Sequence, residues 1–165
     1  MKPRTTAGNL KQAEKRQLDR EFSLERYKYI LQQIHTVNEN VYKFLAIYQT
    51  LASSLVAAGL ALFIGYRTWG ITPVVTRSGI VGLMLLVTVI GSFTALLIVI
   101  GVFTWLDYRK EECELTDRIV YAGFRKPPKV GNFIRWYETY IILFIIGSIA
   151  FMWGYALTVI LPQIR

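Results

Sequence analysis

Charged side chains are absent from three long stretches of this chain, and histidine and cysteine each occur only once. Residues 44–66, 79–105 and 139–160 contain no Asp, Glu, Lys, Arg or His. Ionisable groups inside membrane-spanning segments mark proton relays, voltage sensors and ion pathways. Their absence argues against proton-coupled transport and against voltage sensing.

The scarcity of histidine and cysteine limits metal and redox chemistry. His35 supplies one imidazole in a polar segment, so paired axial haem ligands do not come from one subunit. Cys113 has no second cysteine for an intrachain disulfide, which fits a reducing compartment. The sequence has neither a Gly-rich phosphate loop nor a nucleophile–base pair. We therefore expect no enzyme activity, no metal site and no cofactor.

Apolar residues are concentrated in the three uncharged stretches. These contain 23, 27 and 22 residues, and a helix of about 20 apolar residues crosses the hydrocarbon core of a bilayer. The sequence predicts an all-α integral membrane protein with three transmembrane helices at 44–66, 79–105 and 139–160. Segment 67–78 would be an outer linker, and segment 106–138 a cytosolic helix followed by a basic loop.

Lys and Arg are distributed unevenly between the polar segments. Residues 1–43 and 106–138 hold sixteen of the 19, whereas 67–78 and 161–165 hold three. Because Lys and Arg concentrate in cytosolic loops, we expect a cytosolic N-terminus and an outer C-terminal tail in the cell (inner) membrane. This orientation accounts for most of the net charge of +8. We expect membrane lipids as partners, and no nucleic acid.

The N-terminal segment predicts a long cytosolic amphipathic helix after a disordered tail at 1–8. A capping pattern at Asn9 and a second candidate N-cap at Ser23 leave open whether residues 9–43 form one helix or two. No Gly or Pro lies between residues 36 and 58. The cytosolic helix is therefore expected to continue directly into the first span.

A heptad pattern extends along this helix. Its core positions alternate spacings of three and four from Leu24 to Leu55, which keeps one seam facing a partner. Two interpretations are open: an amphipathic helix folded back on the chain's own second cytosolic segment, or a coiled coil between subunits. In a coiled coil, the polar Asn38 would set the register. The predicted oligomer seam comprises Leu31, Ile34, Asn38, Val41 and Leu45.

Small and hydroxylated residues form stripes within the spans. Such stripes favour close packing of helices, and pore lining is the alternative. The stripe residues are Gln49, Ser53, Ala57, Ala61 and Gly65 in the first span and Thr88 and Ser92 in the second.

Two charged groups follow the second span. Asp107, Glu111 and Glu114 share one face if the helix continues inward. They form either a solvated face balanced by nearby Arg and Lys, or a carboxylate ring at the cytosolic mouth of a cation pore. The second group is a basic segment predicted to hold anionic lipid headgroups: Arg125, Lys126 and Lys129.

The layout of residues 20–120 resembles that of SLATT-type bacterial membrane domains. It combines an amphipathic helix at 26–41, two spans, and a charged helix at 107–118 that continues inward. The resemblance implies a pore-forming effector of nucleotide-signalled conflict systems, such as phage defence. The chain departs from that layout in its third span, its longer outer linker and its lack of a sensor domain. No functional residue is carried over from the resemblance.

Two functions are compatible with these features. The first is a non-enzymatic homo-oligomer that acts as a passive ion-conducting pore or membrane effector. The second is a membrane anchor or accessory subunit whose cytosolic helices dock a soluble cytosolic protein. A lipid-modifying enzyme is disfavoured because the sequence offers no evident acid, base, nucleophile or metal cluster.

Overall fold

The computed structural model describes residues 5–128 and 130–165, and this part of the chain is helical without any strand. Three of its helices are long and apolar enough to cross a membrane. That finding confirms the predicted all-α class and the number of such helices. The elements are α1 (Thr5–Gly65), α2 (Pro73–Ile119), a 3-10 helix (Val130–Arg135), α3 (Tyr137–Tyr155), a π-helical segment (Ala156–Ile160) and α4 (Leu161–Gln163).

Helix α1 is one unbroken helix of 61 residues. The predicted continuation into the first apolar stretch is confirmed, and Ser23 lies inside the helix instead of capping a second one. The helix begins at Thr5, so it includes part of the segment predicted as a tail, whose residues 1–4 lie outside the described part. Continuing an existing helix gains one hydrogen bond for each residue that is ordered, whereas starting a new helix costs conformational entropy. One continuous helix is therefore favoured over two short ones.

Helix α2 begins at Pro73, so residues 73–78, predicted to belong to the linker, are helical. Proline suits the first helical position because its φ is already helical and the N–H that it lacks would have no partner there. The Val75 N–H donates to Thr72 Oγ1 at 3.5 Å, which places Thr72 as the cap. The stretch between α1 and α2 is therefore only seven residues long, 66–72.

The other end of α2 extends well beyond its uncharged stretch. The helix continues to Ile119, so the charged residues 107–118 are helical. Gly123 follows with a φ of +80°, a conformation that glycine adopts without a steric penalty. Its N–H donates to Asp117 Oδ1 at 3.0 Å, which ties the turn to the last turn of the helix.

A π-helical segment follows α3. The Leu161 N–H donates to the Ala156 carbonyl five residues earlier, which makes this turn wider than an α-helical turn. Pro162 comes next; it has no N–H, and its ring would clash with the carbonyl four residues before it in a regular helix. The wider turn therefore lies where proline disfavours an α-helix.

The chain divides into two compact units. The first unit comprises Met1–Asn38 and Phe103–Lys129, and the second comprises Glu39–Val102 and Val130–Arg165. The second unit contains the first and third uncharged stretches and all but residues 103–105 of the second. Two clusters of buried apolar residues lie in this unit: Val41, Tyr48, Ile98 and Ile145 in one, and Tyr66, Ile80 and Ile164 in the other.

Close helix packing in the second unit depends on Gly91. A Cβ atom at this position would lie 2.6 Å from Ile149 Cδ1 and 3.1 Å from the ring of Tyr48. These distances are too short for a side chain to fit without movement of its neighbours. At Gly91, side chains of α1 and α3 therefore both pack closely against the backbone of α2.

Candidate functional site

The first unit contains a buried carboxylate that was not among the predicted site residues. Glu112 has no solvent exposure. It forms an ion pair with Arg109, one turn earlier on α2, and a second with Arg125, whose Nε lies 3.3 Å from Glu112 Oε1. Two guanidinium groups from different parts of the chain therefore compensate one buried negative charge.

The buried face of α2 explains why spacing alone missed Glu112. Leu106, Cys113 and Thr116 are buried, and Glu112 lies beside them on the helix. In the sequence, Glu112 stands between Glu111 and Cys113 in a run of charged residues, which is typical of a solvated helix. The usable signal was the spacing of Leu106, Cys113 and Thr116, which marks a less polar face.

The three carboxylates predicted to form a cytosolic mouth differ in their surroundings. Glu111 Oε1 accepts hydrogen bonds from Arg26 Nε at 2.8 Å and from Arg26 Nη2 at 2.5 Å. Asp107 lies 3.8 Å from Lys110 Nζ, and Glu114 is exposed. Arg26 belongs to α1, so part of α1 packs against the charged end of α2 within the same unit. This contact favours the interpretation in which the amphipathic helix folds back on its own chain.

The single cysteine lies next to the buried carboxylate. Cys113 is only 6% exposed, and burial raises the pKa of its thiol above the ordinary value. The thiol is therefore protonated at neutral pH and poorly reactive, because the thiolate is the nucleophilic form.

The basic segment predicted to bind lipid headgroups is divided in the structure. Arg125 faces Glu112, so part of its charge is already compensated within the chain. Lys126 is exposed. Lys129 lies outside the described residues.

The predicted oligomer seam is partly covered by the chain itself. Val41 is buried in the core of the second unit, and Leu45 packs against the same cluster. Ile34 and Asn38, in the first unit, are half-buried, and Leu31 is exposed. The C-terminal end of the seam therefore contacts the chain's own helices instead of being free for a second subunit.

Two hydrogen bonds connect α3 to the other helices of the second unit. The hydroxyls of Tyr48 and Ser148 lie 2.7 Å apart. Trp153 Nε1 donates to Thr88 Oγ1 at 2.9 Å. Thr88, predicted to line a pore or a helix interface, therefore contacts α3 within the chain, whereas the neighbouring Ser92 is exposed.

The small-residue stripe of the first span lies mostly on a face that the chain leaves uncovered. Gln49, Ser53, Ala57 and Ala61 are all exposed. Gly65 is half-buried, and a Cβ atom there would lie 2.7 Å from the ring of Trp69. The chain's own packing therefore does not account for the first four stripe residues.

Among the described residues, no group of three or more His, Cys, Asp or Glu side chains is placed to hold a metal ion. Comparison with known protein families, with curated proteins and with solved structures found no match. Two features are thus the candidate functional regions: the Glu112 cluster of the first unit and the uncovered stripe of the second.

Proposed function

We propose that this chain is a non-enzymatic protein of the cell (inner) membrane that crosses the bilayer three times and assembles with copies of itself. The uncovered face formed by Gln49, Ser53, Ala57 and Ala61 carries the proposal. A glutamine facing hydrocarbon leaves its amide without hydrogen-bond partners, which is unfavourable. Small residues at intervals of four let two helices approach closely and let polar side chains bond across the interface.

The orientation rests on the distribution of positive charge. Sixteen of the 19 Lys and Arg lie in segments 1–43 and 106–138. The N-terminus and the charged end of α2 would therefore be cytosolic, and the linker between α1 and α2 would lie outside. Thr72, in that linker, and Lys110, on α2, are both exposed and suit a labelling test.

That test compares Thr72→Cys with Lys110→Cys in intact cells, using a membrane-impermeant thiol reagent. We expect the first cysteine to react and the second to react only after permeabilisation. Native Cys113 is a poor reporter of topology because it is buried whichever side it occupies. Labelling of Lys110→Cys alone in intact cells would reverse the proposed orientation.

A more specific proposal is that the assembly conducts ions passively. The resemblance to SLATT-type domains implies this role. Around a symmetry axis, Gln49 and Ser53 would supply polar groups to a pore. Thr88 would not, because it accepts a hydrogen bond from Trp153. Asp107 and Glu114 have the most exposed positions of the three predicted carboxylates and would attract cations.

Disulfide trapping tests the assembly. In a Cys113→Ala background, Ala57→Cys should form an intermolecular disulfide on mild oxidation in membranes. The matched control is Val89→Cys, because Val89 is an apolar residue of α2 that is 65% exposed. Trapping of both variants to the same extent, or of neither, would contradict assembly through the stripe.

Current measurements test conduction. The purified protein in a planar bilayer should pass cation-selective current, and Gln49→Leu should reduce it while Val89→Leu leaves it unchanged. Equal currents from the two variants would argue against a pore lined by this face.

A groove in the first unit supports the anchor role as a second candidate. It has a volume of about 440 Å³, and its lining includes Leu24, Tyr27, Ile119 and Phe124. An exposed apolar groove on a cytosolic segment would suit docking of a soluble protein. Leu24→Glu should then release a protein that co-purifies in stoichiometric amount, and the absence of any such protein would contradict this role.

A further inference from the structure

We propose that a crevice in the second unit binds one acyl chain of a membrane phospholipid. The crevice has a volume of about 230 Å³ and is lined by α1, α2, α3 and the π-helical segment. This inference rests on the proposed membrane insertion. It concerns a site distinct from the α1 stripe and from the Glu112 cluster.

The crevice has a closed floor and an open side. Ile80, Val87 and Ala156 line it and are each at most 3% exposed, so they form the floor. Leu60 and Phe151 also line it and are 42% and 73% exposed, so they form the rim. A linear apolar molecule can therefore enter from the side of the bundle, where bilayer lipids would lie.

The lining chemistry selects hydrocarbon. The lining side chains are aliphatic, aromatic or thioether groups, and the hydroxyl of Tyr155 is the one polar group among them. A buried water needs about two to four polar partners, which this lining does not provide. For scale, an apolar protein cavity of about 150 Å³ stays dry and binds benzene. The larger crevice can hold a segment of an acyl chain.

Within a bilayer, van der Waals packing would favour occupancy of the crevice by an acyl chain, and exclusion of water would not. Lipid tails and apolar side chains are alike in polarity, so association in a membrane depends on van der Waals contact. An empty crevice leaves its lining atoms without partners on one side, and a bound chain restores these contacts.

Two sequence features lie in the walls of the crevice. Gly59 lines it without contributing a side chain, and a Cβ atom there would meet Leu83 at 3.6 Å, an ordinary contact distance. On the other wall, Ala156 and Ile160 begin and end the π-helical segment, whose wider turn displaces this wall from regular helix geometry. A glycine and a widened turn thus face the same space.

A positive charge near the crevice favours a phospholipid. Ile80, in the floor, follows Arg77 by one helical turn, so the two residues share a face of α2. Arg77 is exposed, and its Nη2 donates to the Ile164 carbonyl at 2.6 Å. The guanidinium is thereby held near the linker end of the bundle. A phosphate headgroup bound there would place its acyl chain alongside the crevice.

Lipid binding to purified protein tests the inference. Wild type, Gly59→Leu and Gly82→Leu, in detergent, are titrated with 1-palmitoyl-2-oleoyl-phosphatidylglycerol, and bound lipid is counted by native mass spectrometry. Gly82→Leu is the matched control, because a Cβ atom at Gly82 meets nothing within 4 Å and the residue does not line the crevice. We expect Gly59→Leu to weaken the tightest lipid site about tenfold and the control to bind as wild type does.

A smaller substitution, Gly59→Ala, allows the test to be made even if Gly59→Leu does not fold. Gly59→Ala adds a methyl group at an ordinary contact distance from Leu83 and should weaken binding by a smaller factor. Equal affinity in all four folded proteins would overturn the inference. An altered oligomer size in Gly59→Leu with unchanged lipid binding would also overturn it, because a second copy would then occupy the crevice. Recovery of the chain outside the membrane fraction would overturn the proposed function as well.

Discussion

Replacing Glu112 by glutamine should open the first unit locally, and Cys113 offers a direct readout. Glu112→Gln keeps the side-chain volume and removes the charge, so its effect reports electrostatics and not a cavity. Glu112 is fully buried between Arg109 and Arg125, whose side chains are 23% and 37% exposed. Removing the carboxylate leaves Arg109 largely buried without its counter-charge.

The expected loss of stability follows from the exposed fractions of these side chains. Breaking a buried ion pair by removing one partner destabilises a protein by about 3–5 kcal/mol. Arg125→Ala should cost less, about 1–3 kcal/mol, because Arg125 is more exposed and Glu112 keeps its pair with Arg109, although the buried Oε1 atom loses its nearest positive charge. Glu114→Gln is the matched control, because Glu114 lies on the same helix and is exposed. We therefore expect Glu112→Gln to have the largest effect of the three.

The assay is the rate at which a maleimide modifies Cys113 under native conditions. Cys113 is the only cysteine and is buried beside Glu112, so its modification reports local opening of this unit. If the whole cost is expressed in local opening, the rate should rise roughly 10²- to 10⁴-fold in Glu112→Gln. Opening also removes the burial that raises the thiol pKa, which increases reactivity further.

Two outcomes would contradict the reasoning about Glu112. Equal modification rates in Glu112→Gln and Glu114→Gln would mean that the Glu112 charge does not hold this unit closed. A rate increase in Arg125→Ala as large as that in Glu112→Gln would mean that the contact between Arg125 and the carboxylate dominates, and that Arg109 contributes little.

Three further predictions concern contacts within the two units. Gly91→Leu should lower the thermal stability of the detergent-solubilised protein by about 1–3 kcal/mol or more through overpacking, whereas Gly147→Leu should be near neutral because a Cβ atom there meets nothing within 4 Å. Trp153→Phe removes the hydrogen bond to Thr88 and should cost about 1 kcal/mol in the same melt, and an unchanged midpoint would contradict this bond. Arg26→Ala removes the ion pair with Glu111, and the two side chains are 43% and 38% exposed. The loss of stability should therefore stay below about 1 kcal/mol and become smaller in high salt.

The helical class and the approximate element bounds were predictable because they depend on local properties. A run of about 20 predominantly apolar residues without charge is long and apolar enough to span a membrane regardless of its neighbours in space. Helix starts and stops are also local. Pro73 can occupy the first position of a helix, and Gly123 can adopt a positive φ after its end. The predicted linker, 67–78, was too long because its end was placed where the second uncharged stretch begins, whereas α2 begins at Pro73.

The identity of the buried groups required the tertiary structure. Glu111, Glu112 and Glu114 are neighbours of the same charge type, yet only Glu112 is fully buried. Its burial is compensated partly by Arg125, thirteen residues later and beyond the end of α2. Spacing places a residue on a helix face, but it does not reveal which distant segment covers that face.

The same reason separates the two small-residue stripes. From the sequence, the faces containing Ser53 and Thr88 were equivalent candidates for packing or pore lining. The structure joins Thr88 to Trp153 of α3 and leaves Ser53 exposed. The sequence by itself determined where the apolar helices lie, because hydrophobicity and backbone stereochemistry act over a few residues. Only the tertiary structure decided which polar groups are satisfied within the chain, because each such pairing joins residues far apart in sequence.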